Sequence, residues 1–314
     1  MISFDKRQLD ARAREYGFIR DNFEKVLRLI QILKDFGRIP LLKQYLVLKG
    51  GTAINLLVFD MPRLSVDIDF DFAENLPREA MLEKRIAIND EIQRYMFSQG
   101  YTFNPASKSP MSLDSWAFDY INAAGNKDNI KIEINYSMRC HIYAPVMKAC
   151  KAGFAPKIRV KCLDPVELFG CKIKALLERN AARDLYDVYQ MILKKAVVPS
   201  RYDDLRKVIL FYLAVGGSKP PKTAFSYDAI KSINYPKIRA QLKPVLRKDD
   251  NFDFEMAKDV VVEFLEHLMV LSASEKTFIE KFNAKGFAPG FLFEDDDVVT
   301  RLLDHPMALW KISR

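Results

Sequence analysis

The sequence predicts an α+β protein in which a mixed α/β half, ending near residue 162, precedes an all-helical half. Strand-like patterns occur only in the first half: a short apolar run at residues 45–48, and strand segments at residues 66–72, 115–122, 129–138 and 158–162. From residue 184 onward the apolar residues recur at helical spacing. We therefore predict two domains, residues 1–162 and residues 163–314.

Helical periodicity and end signals locate the helices. Apolar residues from Phe23 to Leu33 recur at helical spacing, and Gly37 follows as a stop. A later helix is expected to begin after Asp164, which is a favourable cap, with Pro165 at its first position. The predicted helical segments are 18–37, 51–58, 78–99, 165–179, 184–195, 203–215, 254–271 and 273–284.

The composition is that of a globular protein, with 49% hydrophobic and 29% charged residues. No apolar run approaches the roughly 18–20 residues of a membrane span, and the N-terminus has no apolar core of a signal peptide. We therefore expect a cytoplasmic protein with no membrane partner. The cysteines are spaced too irregularly for a zinc knuckle or a redox pair, at positions Cys140, Cys150, Cys162 and Cys171.

The formal net charge of +8 indicates an anionic partner. Residues 139–174 contain eight Lys or Arg against two acids, and residues 201–248 contain eleven against three. Such concentrations favour binding of a nucleic acid or a nucleotide. The alternative is a solvated, lysine-rich surface without such a role.

The stretch from Lys49 to Phe70 carries the first candidate chemistry. An apolar run leads into Gly50 and Gly51, which let the backbone approach a phosphate, and a helix N-terminus follows. Asp67 and Asp69 stand two residues apart in a predicted strand, so both side chains point to one face. Like charges that close are usually stabilised by a divalent cation with oxygen ligands. The stretch predicts phosphoryl or nucleotidyl transfer.

Glu133 lies between two isoleucines in a second predicted strand. Placed beside the strand of Asp67 and Asp69, it would supply a third carboxylate on the same face for one or two Mg²⁺ ions. The alternative is that Glu133 is an ordinary solvent-facing residue of an antiparallel strand.

The helix after Pro165 contains Lys172 on an otherwise apolar face, where a lysine either extends to solvent or reaches a ligand phosphate. Asp184 and Asp187 share one face of the next helix. Asp184 is a candidate helix cap or a structural partner of Arg183, whereas Asp187 is interpreted as functional.

Together these blocks resemble the AbiEii/AbiGii family, the nucleotidyltransferase-like toxins of bacterial type IV toxin–antitoxin and phage-defence systems, which include the MenT-like enzymes. The resemblance covers residues 20–195. One departure is Cys171, where the family usually has Glu before the lysine, and the C-terminal third has no counterpart. The matching blocks, in order, are Gly50-Gly51-Thr52, Ser65-Val66-Asp67-Ile68-Asp69-Phe70, Lys131-Ile132-Glu133, Cys171 to Leu177 and Arg183 to Val188.

The resemblance implies a polymerase β-like nucleotidyltransferase domain with a mixed sheet, followed by a helical C-terminal domain. It implies NTP as substrate, Mg²⁺ as cofactor, an RNA acceptor such as the tRNA 3′ end, and a cognate antitoxin. Lys172 would be catalytic and contact the phosphates, and Asp187 would be catalytic. The other implied site residues are Asp67 and Asp69 (catalytic and metal-binding), Glu133 (metal-binding), and Gly50, Gly51, Thr52 and Ser65 (nucleotide-binding).

Two alternatives remain at this point. The same transfer chemistry could act on a small-molecule acceptor, although the basic stretches favour RNA. The chain could also be a non-catalytic protein that binds nucleic acid or an antitoxin on the same scaffold, but the presence of Asp67, Asp69, Glu133 and Lys172 argues against this.

Overall fold

The computed structural model describes residues 4–314 and divides them into two compact units. The first unit contains the described chain up to Arg139, together with Pro145–Cys162 and Pro244–Asp250. The second unit contains Cys140–Ala144, Leu163–Lys243 and Asn251–Arg314. Each unit is therefore assembled from separate parts of the chain.

The first unit is built on a mixed sheet. Its strands are β1 (Leu46–Lys49), β2 (Asp67–Phe72), β3 (Thr102–Phe103), β4 (Leu113–Ile121), β5 (Lys127–Asn135), β6 (Val146–Ala149) and β7 (Arg159–Cys162). They form one seven-stranded sheet in the order β3-β4-β5-β2-β1-β7-β6. The pairs β2–β5 and β1–β7 are parallel, and the other neighbours are antiparallel. The predicted mixed sheet is confirmed.

The strands β3 and β6 were not predicted from the sequence. They contain two and four residues, and so few positions cannot display an alternating pattern that stands out from a loop. Both form by pairing with a neighbouring strand, since β3 pairs with β4 and β6 pairs with β7.

Two helices of this unit contribute aromatic side chains to the face of the sheet that carries Phe70. Phe36 stacks on Phe70 of β2 with ring centroids 6.3 Å apart, and Tyr95 packs edge-on against Phe36 at 5.3 Å. The helices are α1 (Lys6–Glu15), α2 (Arg20–Phe36), α3 (Pro40–Tyr45), α4 (Gly50–Ala53), which continues as a π-helix (Ile54–Val58), and α5 (Arg78–Ser98).

The alternation along β2 separates the core from the polar face. Ile68, Phe70 and Phe72 are all buried, at most 4% exposed. Asp67 and Asp69 are half-buried and point to the opposite face, since successive side chains of a strand alternate. Burial of the apolar side chains on the Phe70 face fixes the orientation of β2. The two carboxylates are therefore held on the opposite face.

The segment Pro244–Asp250 belongs to the first unit because backbone hydrogen bonds tie it there. The amide of Leu64 donates to the carbonyl of Val245 at 2.8 Å, and the amide of Lys248 donates to the carbonyl of Gly17 at 2.7 Å. No sequence pattern indicated these long-range bonds.

The second unit is helical. Asp164 caps α6 by accepting from the amide of Val166 at 2.8 Å, and Pro165 is the first helical residue, as predicted. The helices are α6 (Pro165–Arg179), α7 (Ala182–Leu193), α8 (Tyr202–Gly216), α9 (Asp228–Lys231), α10 (Tyr235–Gln241), α11 (Phe254–Leu268), α12 (Ala273–Asn283), α13 (Asp296–Leu303) and α14 (Pro306–Ile312). Short 3₁₀ helices cover Pro199–Arg201, Lys243–Val245 and Pro289–Phe291. Along residues 4–314, no helix combines the length and apolar character needed to cross a bilayer.

A buried carboxylate fixes Cys140–Ala144 to the second unit. Glu167 has no exposed surface and accepts from the amides of Ile142 and Tyr143 at 3.1 Å, as well as from the hydroxyl of Tyr212. Burial raises the pKa of Glu167 above its ordinary value, although the charge of His141 and these hydrogen bonds oppose it. The three donors satisfy a group that would otherwise be costly to bury.

Candidate active site

The carboxylates predicted from the two strands meet on one face of the sheet. In the parallel pairing of β2 and β5, Asp69 lies opposite Glu133 and Asp67 lies opposite Lys131. Neighbouring strands are about 4.8 Å apart, so paired side chains on one face are in reach of each other. The register therefore places Glu133 beside the two aspartates, as the third-carboxylate hypothesis requires.

Glu133 is held by two donors. The hydroxyl of Ser115 and the ammonium of Lys131 each lie 2.8 Å from its Oε1. Burial would raise the pKa of Glu133, but the bonds from Lys131 and Ser115 outweigh burial and hold the pKa below its ordinary value. Glu133 is therefore a carboxylate anion near neutral pH.

The turn at Gly50 and Gly51 requires glycine for two reasons. Gly50 adopts φ +70°, and a Cβ there would collide with Oδ2 of Asp69. A Cβ at Gly51 would lie 2.9 Å from the hydroxyl of Ser65 and 3.0 Å from Nη2 of Arg63. The predicted backbone cradle is thus packed directly against the carboxylate strand and the segment that leads into it.

The remaining predicted nucleotide-binding residues are close by. Ser65 is buried beside Gly51, and the buried hydroxyl of Thr52 donates to the backbone carbonyl of Asp67. That bond ties the start of β2 to α4. In this arrangement Thr52 positions the aspartate strand, and its role in nucleotide binding stays a prediction.

Sequence reasoning missed Arg63. Its side chain is only 2% exposed, and Nη1 donates to the carbonyl of Leu64 at 2.9 Å. This places a guanidinium, a group that pairs well with phosphates and carboxylates, beside Gly51 and Ser65. The signal that could have found it is an isolated arginine in an apolar run, from Met61 to Leu64, just ahead of the aspartates.

Lys172 and Asp187 form a second group, in the helical unit. Lys172 is 7% exposed, and its ammonium lies 2.8 Å from Asp184 and 3.0 Å from Asp187. Arg179 also binds Asp184, with Nε 2.6 Å from its carboxylate. Lys172 does not extend to solvent, because two buried aspartates surround its ammonium; its contact with a ligand phosphate stays a prediction.

The interpretation of Asp184 as a helix cap was also wrong. Ala181 is the N-cap of α7 without a side-chain bond, and Asp184 lies inside the first turn. Its arginine partner is Arg179, one helix earlier, and not the adjacent Arg183 that the sequence suggested. Charge attraction across the α6–α7 turn therefore replaces the local cap.

A family model described as nucleotidyl transferase AbiEii toxin, type IV toxin–antitoxin system, matches residues 31–270. The match spans more than half of the chain and contains both groups of residues described above, from Gly50 to Asp187. The chain belongs to the AbiEii family. It is thus a nucleotidyltransferase toxin of a type IV toxin–antitoxin system, with a nucleotide substrate and an antitoxin partner, and the resemblance drawn from its motifs is confirmed.

The fold of this AbiEii chain is similar to that of MenT4, a nucleotidyltransferase toxin from Mycobacterium tuberculosis H37Rv. The two share 14% sequence identity with a TM-score of 0.61, over 98% of this chain and 99% of that chain. The likeness extends through the C-terminal third, for which the sequence motifs had no counterpart. No curated protein sequence matches the chain.

AbiEii nucleotidyltransferases generally use a divalent metal, and the donor set of the AbiEii chain fits one. Asp67, Asp69 and Glu133 supply the carboxylate oxygens that hard cations prefer. Among residues 4–314, no three His, Cys, Asp or Glu side chains are grouped to hold an ion as they stand. Lys131 and Ser115 are both bonded to Oε1 of Glu133.

Replacing Gly50 by alanine in the AbiEii chain should impair transfer more than it impairs folding. The new Cβ would push Asp69 aside, and misplacing a reacting group by about 1 Å costs on the order of a hundredfold in rate. The positive φ adds about 1–2 kcal/mol of strain. Rates of nucleotide incorporation and urea unfolding curves measure the two effects.

The matched control is Gly125→Ala. Gly125 has φ +86°, but a Cβ there would meet no atom within 4 Å. The control should lose about the same 1–2 kcal/mol of stability and keep its activity. Equal loss of activity in both variants would show that strain, and not the contact with Asp69, explains the effect.

The stability of the helical unit should fall in acid because of Asp184. Burial would raise its pKa, but the charges of Lys172 and Arg179 outweigh burial and lower the pKa from 3.8 to about 2. A depressed carboxylate pKa contributes stability above the unfolded value that is lost as pH falls through the folded value. We expect a loss of about 2 kcal/mol between pH 5 and pH 2 in wild type.

Urea unfolding at several pH values checks this expectation. Asp184→Asn should be less stable at pH 6 and show a flatter dependence on pH. Asp203→Asn, at a 76%-exposed position, should keep the wild-type slope. A wild-type slope in Asp184→Asn would assign the acid sensitivity to another group.

Proposed function

We propose that this toxin transfers a nucleoside monophosphate from an NTP to an RNA acceptor, the tRNA 3′ end, in a Mg²⁺-dependent reaction. The observation that supports this best is the register that sets Asp69 opposite Glu133, with Asp67 on the same face. Three carboxylates in this arrangement complement the charge of the divalent ions that bind a nucleotide's phosphates. A role in phage defence is part of the same proposal.

In this reaction the acceptor hydroxyl oxygen bonds to the α-phosphorus, the bond to the β-phosphate oxygen breaks, and pyrophosphate leaves. Asp67, Asp69 and Glu133 would hold the metal. Bound Mg²⁺ would neutralise the phosphates and lower the pKa of the attacking hydroxyl. The proton of the attacking hydroxyl is released to solvent as its oxygen bonds to the α-phosphorus.

We assign binding of the NTP phosphates to the turn at Gly50 and Gly51 and to Ser65. Gly50, Gly51 and Ser65 offer backbone and hydroxyl donors, and the guanidinium of Arg63 adjoins them. Roles of Lys172 in phosphate binding and of Asp187 in catalysis are proposed on the family resemblance, since in this structure their charged groups are bonded to each other.

RNA is favoured over a small acceptor by the charge of the β6–β7 hairpin. Between Pro145 and Cys162 the chain contains five basic residues and no acid: Lys148, Lys151, Lys157, Arg159 and Lys161. Phosphate backbones bind such surfaces with a steep dependence on salt, whereas small cationic acceptors need an acidic pocket.

The test is a screen of the four labelled NTPs with Mg²⁺ and total tRNA. We expect label in tRNA from at least one NTP, lost in Asp67→Ala, and RNA binding that weakens steeply with salt. Label in a small molecule but none in RNA would favour the alternative acceptor. No transfer to any acceptor, together with full toxicity of Asp67→Ala in cells, would overturn the proposal.

A further inference from the structure

Lys131 places a positive charge inside the proposed metal site. It lies directly opposite Asp67 in the β2–β5 pairing, and its side chain is on the same face as Asp67 and Glu133. Its ammonium is 2.8 Å from Glu133. The contact with Glu133 and the register opposite Asp67 therefore place the Lys131 ammonium among these carboxylates.

The charges on this face balance in a specific way. Four carboxylates, Asp67, Asp69, Asp71 and Glu133, are accompanied by two ammonium groups, Lys49 and Lys131. Lys49 is paired with Asp71 at one end, and Lys131 with Glu133. Each of these two lysines therefore neutralises one carboxylate of this face.

Lys131 can leave this position at low cost. Its side chain is 42% exposed, so rotation of its flexible stem moves the ammonium into water without opening the core. Lys172 is different, since it is 7% exposed and bonded to two buried aspartates. Lys131 is thus a replaceable counter-ion, whereas Lys172 is a fixed one.

We propose that Lys131 is an internal counter-ion that competes with the divalent cation for Glu133. Without metal, Lys131 neutralises Glu133; when metal and nucleotide arrive together, the ammonium leaves the carboxylate and pairs with the triphosphate. Metal alone then binds weakly, and nucleotide strengthens its binding. This inference rests on the proposed function, because it takes Asp67, Asp69 and Glu133 as the metal ligands.

The experiment is a titration of the full chain with Mn²⁺, followed by electron paramagnetic resonance, with and without a non-hydrolysable NTP analogue. Without nucleotide, Lys131→Met should bind Mn²⁺ about tenfold more tightly than wild type, because a nearby positive charge is removed. The NTP analogue should increase the Mn²⁺ affinity of Lys131→Met by a smaller factor than it increases that of wild type. Lys131→Arg, which keeps the charge, should resemble wild type.

Lys127→Met is the matched control. Lys127 lies on the same strand and the same face, four residues from Lys131 or about 13 Å along the strand, and it is paired with Asp119. Lys127→Met removes the same charge as Lys131→Met, and it should leave the Mn²⁺ affinity unchanged. Thermal melts of each variant verify that the fold is intact.

The outcomes separate this inference from the function on which it rests. If Asp67→Asn loses Mn²⁺ binding but Lys131→Met binds Mn²⁺ like wild type, the counter-ion role is overturned and the metal site stands. The same holds if Lys127→Met tightens binding as much as Lys131→Met. If Mn²⁺ binding is indifferent to Asp67→Asn, the metal assignment itself is overturned, and with it the role of Lys131.

Discussion

Asp69→Asn should lower nucleotide transfer by about a thousandfold while the protein remains folded. Asparagine keeps the shape of the side chain but removes the negative charge at the position where β1, β2 and β5 adjoin, opposite both Lys49 and Glu133. Loss of one charged group that stabilises the transition state typically costs on the order of a hundred- to a thousandfold in rate. Asp69 is half-buried on the polar face of β2. Because asparagine has the same shape, the packing of the apolar face is unchanged.

Single-turnover incorporation of a labelled NTP measures this loss, and a urea unfolding curve verifies the fold. The matched control is Asp90→Asn, at an exposed position on α5 of the same unit, which should transfer at the wild-type rate. Transfer by Asp69→Asn within a few fold of wild type would remove Asp69 from the catalytic group.

Lys172→Met should destabilise the helical unit by about 3–5 kcal/mol, because removing one partner of a buried ion pair leaves uncompensated charge. Methionine fills a similar volume, so packing changes little. Asp184 and Asp187, which are at most 1% exposed, would lose the ammonium that they share. Urea unfolding followed by circular dichroism measures the change.

Lys174→Met on the same helix is the control. Lys174 pairs with Glu178 at 2.6 Å, and both side chains are partly exposed, at 19% and 25%. Loss of such a pair costs about 1 kcal/mol or less. If both variants lose the same stability, the network of Lys172 is not the buried structural element that its contacts indicate.

A triple variant separates structure from catalysis at this position. Combining Lys172→Met with Asp184→Asn and Asp187→Asn removes the uncompensated charges, and replacing a whole buried ion pair is often nearly neutral. We expect most of the stability to return and nucleotide transfer to remain low. Recovered activity would show that Lys172 and Asp187 are purely structural.

The sequence by itself determined the elements that carry the chemistry. The two-residue spacing of Asp67 and Asp69 within an alternating run requires one face of a strand, and Asp164 followed by Pro165 requires a helix start, because both are local consequences of backbone geometry. The isoleucines around Glu133 likewise placed it on the polar face of a strand. Local periodicity was therefore sufficient for the α+β class and for the carboxylate face.

Only the tertiary structure decided which of these residues meet. The register of β2 against β5 brings Glu133 to Asp69 and Lys131 to Asp67, and a register is a property of two distant segments that neither encodes alone. The contacts of Arg63 with Gly51 and of Lys172 with Asp184 and Asp187 likewise join separate segments of the chain. Burial and charge pairing depend on the surroundings in three dimensions, so an isolated lysine or arginine in the sequence does not reveal its partner.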